Sequence, residues 1–89
     1  MIQNLPEYLF ENTKDLEQID LSGNLIKVLP DNIFKGLQKL ENLKISDNNL
    51  QSISNKTING LQNLKQLNLR QNGIKRIYHL KLGFELLLG

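Results

Sequence analysis

A right-handed solenoid of short stacked parallel strands is the fold class this sequence predicts, and three observations predict it. Leu16, Leu40 and Leu64 follow one another at a spacing of 24 residues. Five further apolar or polar columns repeat in the same register: Ile19, Leu43 and Leu67; Leu21, Ile45 and Leu69; Asn24, Asn48 and Asn72; Ile26, Leu50 and Ile74; Leu29, Ile53 and Ile77. The Asn column keeps its amide through all three copies while its neighbours vary, from Gly23 to Asp47 to Gln71. A fixed period of this length means one supersecondary unit per repeat, stacked so that neighbours bury what a single copy cannot.

The strand of each unit comes from period-two alternation. In Leu16 to Leu21, Leu40 to Ile45 and Leu64 to Leu69 the fourth and sixth residues are apolar and those between them polar, as a strand with one buried face requires. Stacking the copies sets strand beside strand in a curved parallel sheet, with loops and short 3-10 or helical turns expected on the opposite, convex side. Where the chain leaves the strand, its backbone groups bend away from any ladder partner. The carboxamides of Asn24, Asn48 and Asn72 can satisfy those groups, including those of the adjacent repeat, which would otherwise be buried unpaired. Asn72-Gly73 alone is a strong hairpin signal. The equivalent pairs Asn24-Leu25 and Asn48-Asn49 are not, and a hairpin would break the parallel stacking that the period demands.

The pattern L-x-x-L-x-L-x-x-N-x-L is that of a leucine-rich repeat, so the predicted class is an α/β leucine-rich repeat solenoid. The whole chain, 1–89, reads as one segment: a partial repeat at 1–15, full repeats at 16–39 and 40–63, and a last, degenerate one at 64–87, where Tyr78-His79-Leu80-Lys81-Leu82-Gly83-Phe84 departs from the columns although Leu88 keeps the position of Leu64. Nineteen Leu, twelve Asn and no Ala fit this architecture, since helices lose their best former and turns gain theirs.

Composition narrows function as well. The formal charge of +2 arises from 11 basic and 9 acidic residues without a contiguous basic block able to track a phosphate backbone, which argues against nucleic acid. No apolar run has the length of a signal peptide or membrane span, so the segment is expected to make no membrane contact. With no Cys, one His (His79) and no ligand-spaced cluster, neither a metal site nor a cofactor is expected. Ser22 and Ser46 lie in one column without a histidine base in any strand, and no Gly-rich phosphate loop precedes a helix. The reading is non-enzymatic.

The second halves of the repeats carry a resemblance. Leu29-Pro30-Asp31-Asn32-Ile33-Phe34-Lys35-Gly36-Leu37 reads L-P-x-x-x-F-x-G-L, and Leu5-Pro6, Phe10 and Leu16 fit the same frame upstream. With Ile19-Asp20-Leu21-Ser22-Gly23-Asn24, this resembles the extracellular type of leucine-rich repeat, most of all the ectodomains of Toll and Toll-like receptors of invertebrate kind. Small leucine-rich proteoglycans, lamprey-type variable lymphocyte receptors and neuronal adhesion proteins carry similar units. The resemblance implies an extracellular or cell-surface location, a protein ligand or partner receptor, and a convex-side spine of aromatic rings to which Phe10 and Phe34 would belong, ending early where Ile58 and Leu82 fill the column.

Candidate contact residues are the outward positions of the strands. Asp20, Lys44, Asn68 and Arg70 are the expected ligand-binding set, because these positions vary without disturbing the core. With Glu17, Glu41 and Lys65 beside them the face runs from acidic to basic, a gradient able to orient a partner. Arg70 is the best single candidate, since Arg is favoured at hot spots and no aromatic lies there. Three strands roughly 4.8 Å apart present only a few hundred Å², against about 800 Å² per partner in a stable interface. The rival readings are a purely structural segment that spaces distant sites and an intracellular leucine-rich repeat adaptor. Asn55-Lys56-Thr57 is an N-glycosylation acceptor sequence, although so Asn-rich a chain produces about one such triplet by chance. Self-association through uncapped terminal strands is also expected, from the apolar cluster Leu80, Leu82, Phe84 and Leu86 to Leu88.

Overall fold

The computed structural model describes residues 1–78 and 83–89. Its regular elements are β1 (Gln18–Asp20), β2 (Asn42–Lys44), β3 (Ser52–Ser54), α1 (Asn55–Ile58), β4 (Gln66–Asn68), β5 (Arg76–Tyr78) and β6 (Glu85–Leu87). Strands β1, β2, β4 and β6 form one sheet in that order, parallel throughout, with Ile19 opposite Leu43 and Leu43 opposite Leu67. This is the predicted leucine-rich repeat solenoid, and the Asn72-Gly73 hairpin does not form.

The strands are shorter than the six-residue segments expected, yet the bonding between repeats outlasts them. Before the strands, the Glu41 N–H donates to the Glu17 carbonyl at 2.8 Å and that of Lys65 to Glu41 at 2.8 Å. After them, the Leu21 N–H reaches the Lys44 carbonyl at 2.8 Å and that of Ile45 reaches Asn68 at 2.9 Å. Each repeat is thus tied to the next across a longer stretch than its regular strand.

Behind the sheet the columns fill one core. Ile19, Leu43 and Leu67 are buried, and so are Ile45 and Leu69, Ile26 and Leu50, Leu29 and Ile53, Leu37 and Leu61, and Leu40 and Leu64. Phe10 stacks on Phe34 with ring centroids 6.0 Å apart and an interplanar angle of 18°, an offset arrangement that aromatic quadrupoles favour. Ile58 is buried in the same column of the next repeat; Leu82 lies outside the described residues, as do His79 and Leu80.

Two features differ from the sequence expectation. On the far side of the repeats, β3 and β5 pair as a second parallel sheet, Ile53 opposite Ile77, where only loops and turns were expected. The single-turn helix α1 follows β3 directly. The second difference is the last repeat. Leu86 stands opposite Leu67 and Glu85 opposite Gln66, 19 residues away, so the last repeat is shorter than the 24-residue period. The fourth strand is therefore displaced from the 64–87 frame, and Leu88 is 44% exposed instead of occupying the column of Leu64. Sheet hydrogen bonding decides this register: the Glu85 N–H donates to the Lys65 carbonyl at 2.9 Å, and the Leu69 N–H to that of Leu87 at 2.8 Å. Gly83 has no side chain for the core, and Phe84 packs against the cluster near Ile58, Leu61 and Leu64.

The Asn column is a ladder. Asn48 Oδ1 accepts from the Ile26 N–H at 3.0 Å, in the preceding repeat, while its Nδ2 donates to the carbonyls of Leu21 (3.0 Å), Ile45 (3.3 Å) and Ser46 (3.1 Å). Asn72 repeats the arrangement with the Leu50 N–H and the carbonyls of Ile45, Leu69 and Arg70, and Asn24 with the Ile2 N–H and the carbonyls of Leu21 and Ser22. Directly before each ladder Asn the backbone is left-handed, with φ of 73° at Gly23, 55° at Asp47 and 58° at Gln71. The bend requires this geometry whatever residue is present, and a side chain in it costs about 1–2 kcal/mol; Gly is free of that cost, and Asp tolerates the region better than Gln.

Two outcomes follow for stability. Asn48→Ala strands the Ile26 N–H, and a thermal melt should show it less stable by about 1–3 kcal/mol, whereas Asn49→Ala, on an exposed side chain, should be nearly neutral; equal losses would remove the ladder from its central place. Gln71→Gly relieves the left-handed strain but adds unfolded-chain entropy of about 0.4–1 kcal/mol, leaving a net gain on the order of 0.5 kcal/mol. A lower midpoint in denaturant than the parent would show that the Gln71 side chain contributes more than its backbone costs.

Candidate protein-binding face

Because β1, β2 and β4 are in register, outward residues 24 apart become neighbours across the sheet. Gln18, Asn42 and Gln66 form one row; Asp20, Lys44 and Asn68 form the next. Asp20, Lys44, Asn68 and Arg70, the residues expected from the sequence, lie on this one face, with Lys44 and Arg70 exposed. β6 extends the rows with Glu85 beside Gln66 and Leu87 beside Asn68. The acidic-to-basic gradient therefore stops at the third repeat, because β6 adds an acidic and an apolar residue to the rows.

The polar groups on the face organise one another. The Ser22 N–H donates to Asp20 Oδ1 at 2.9 Å, and the Ser46 hydroxyl donates to that of Ser22 at 2.9 Å. The Ser22 hydroxyl, then its backbone N–H, and then the charge of Lys44 hold the Asp20 carboxyl below its usual range. Asn68 plays the part of Asp20 in its own repeat, accepting from the Arg70 N–H at 3.0 Å. At the last strand Gln66 Nε2 donates to Glu85 Oε1 at 2.8 Å. Lys65 and Glu41 approach to 3.4 Å on the surface, a pair of little energetic value. Between β1 and β2 lies a shallow hollow of about 260 Å³ lined by Gln18, Ile19, Asp20, Asn42 and Lys44, smaller than a typical small-molecule pocket of roughly 300–1,000 Å³. The surface presents a fixed pattern of donors and charges, with the serines hydrogen-bonded to one another and to a carboxylate.

Residues 1–80 match the family model for the BspA-type leucine-rich repeat region (6 copies). The chain belongs to the BspA-type leucine-rich repeat family. Neither a curated protein nor a solved structure matches it significantly. Leucine-rich repeats of this kind are typically non-enzymatic scaffolds for protein interaction, and the match over most of the chain specifies the family more finely than the local L-P-x-x-x-F-x-G-L motif did.

Elsewhere in this BspA-type chain, no group of three or more potential metal ligands occurs among the described residues, and no described helix is long and apolar enough to cross a membrane. Asn55 opens α1 and is half-buried, while Thr57 of the same acceptor triplet is only 5% exposed.

The Asp20 geometry has a titration consequence. A carboxyl whose folded pKa is depressed contributes stability that is present above its unfolded pKa and lost as pH falls through the folded value, so any contribution from Asp20 disappears only on the acid side of the ordinary Asp range. Ser22→Ala should move the Asp20 titration, followed by NMR, upward toward that range. An unchanged midpoint would mean that the Ser22 hydroxyl does not hold the carboxylate.

Proposed function

We propose that this BspA-type segment is a recognition scaffold whose outer sheet face meets a protein ligand or partner receptor, in an extracellular or cell-surface setting. The observation that carries the reading is the separation of duties within each strand: Ile19, Leu43 and Leu67 are buried in the core, while Asp20, Lys44 and Asn68 occupy outward positions in register on the opposite side. A surface whose side chains stay out of the core can take on a partner's chemistry. The receptor-ectodomain form of the reading draws its support from the local motif and from the stacking of Phe10 on Phe34.

Four strands about 4.8 Å apart still present less than the roughly 800 Å² that a stable partner needs, so this face contributes to a larger surface. Lys44 and Arg70, exposed and outside the ion pairs found among the described residues, steer and orient a partner more than they anchor it. Against a protein partner selected on the parent chain, K44E/R70E should slow association and weaken its salt dependence with the melting temperature nearly unchanged. Identical association kinetics for parent and variant at low and high salt would assign this face to scaffolding alone.

A further inference from the structure

Acidic residues are not spread evenly along the chain. Between Asp47 and Glu85 the sequence contains no Asp or Glu, yet it carries Lys56, Lys65, Arg70, Lys75, Arg76 and Lys81. The solenoid folds part of this stretch against Lys27 of the preceding repeat. Beyond the Asn ladder, Lys27, Asn49, Gln51, Gly73 and Lys75 line a groove of about 330 Å³ running across three repeats. Every one of these residues is exposed. Neither lysine enters an ion pair among the described residues, and no carboxylate lines the groove.

Its floor is held by bonds between repeats. The Asn49 N–H donates to the Ile26 carbonyl at 2.9 Å, the Gly73 N–H to Leu50 at 3.0 Å and the Lys75 N–H to Gln51 at 2.7 Å. Lys27, Gln51 and Lys75 are thereby kept in one row, and Gly73 leaves its wall low. With adjacent repeats about 4.8 Å apart, the two lysine positions are separated by roughly 9.6 Å. The amides of Asn49 and Gln51 lie between them.

We infer that this groove binds an acidic peptide segment in the polyproline II conformation, with carboxylates at every third position. Such a helix has three residues per turn and rises about 3.1 Å per residue, so every third side chain lies on one face at a spacing of about 9.3 Å. That matches the lysine separation. The backbone of the helix makes no internal hydrogen bonds, and the amides of Asn49 and Gln51 supply both donors and acceptors for it. One strand of a B-form nucleic-acid duplex carries a charge about every 3.4 Å of helix axis, and most of its charges would find no cation in this groove. The inference concerns a different face from the outer sheet and stands apart from the function proposed for that face.

The probe is a soluble proline-rich peptide with Glu at every third position, compared with one of equal charge carrying Glu at every second position, in calorimetric titrations at about 0.15 M salt, where charges more than about 8 Å apart are largely screened. The spaced peptide should bind the intact chain more tightly, K27E/K75E should weaken it at least about tenfold, and K44E/R70E should leave it within about twofold. K27Q/K75Q, which removes charge without reversing it, should give an intermediate loss and serves as the second variant if K27E/K75E does not fold. The inference is overturned by absence of binding, by equal affinity for the two peptides, by equal sensitivity to K44E/R70E, or by binding of polyphosphate in preference to either peptide. A failure of the outer-face variants to alter protein recognition would leave these results untouched.

Discussion

A strand that turns sharply out of a sheet leaves backbone N–H and C=O groups inside the protein with no ladder to receive them, and a repeat protein meets this problem again at every turn. Here one side chain per repeat resolves it. The carboxamide is suited to the task because it accepts and donates at once: Asn48 Oδ1 takes the Ile26 N–H while Nδ2 serves Leu21, Ile45 and Ser46. A carboxylate could only accept, and a hydroxyl reaches fewer groups. Since the partners belong to both the Asn's own repeat and the one before, the same side chain that completes the bend also fixes the distance between repeats. Sheet register, core columns and the rows of surface residues all depend on that spacing.

The ladder also accounts for features that look unfavourable in isolation. Asp47 and Gln71 adopt a left-handed backbone that neither residue favours, and the cost is borne because the alternative is a bend whose polar groups go unpaired. Three residues as different as Gly23, Asp47 and Gln71 in the same conformation show that the geometry is imposed by the architecture and not chosen by the local residue.

Whether a feature was legible in the sequence depended on how many residues reported it. The strand and Asn columns repeat three times with strong chemical contrast, so the sequence alone sets Ile19, Leu43 and Leu67 inside and Asp20, Lys44 and Asn68 outside. β3 and β5 offered one column, Leu29, Ile53 and Ile77, but no alternation around it: each strand is three residues long, and Ser52-Ile53-Ser54 contains one apolar residue, too few to show a period of two. The last repeat misled because Leu88 satisfied the spacing by itself. Hydrogen bonding along β4 favours Glu85–Leu87 instead, and a column read from one leucine carries no information about its neighbours. The four candidate contact residues could be set on one face because alternation is a geometric rule, while the outward placement of Glu85 and Leu87 was missed because no strand was expected there.

Regular spacing has a functional consequence that reaches beyond any one residue. A solenoid displays its side chains as rows at about 4.8 Å, so a partner with its own linear period can be matched by choosing which repeats carry a charge. The outer sheet face uses this sparingly, since Ser22, Ser46, Asp20 and Asn68 spend part of their hydrogen-bonding capacity on the protein itself. Lys27 and Lys75 place cations in alternate repeats with amides between them. The two faces therefore differ in kind. One presents a largely self-satisfied polar pattern, suited to an extended protein surface in the function proposed for it, and the other a spaced pair of charges suited to selecting linear segments by their repeat distance.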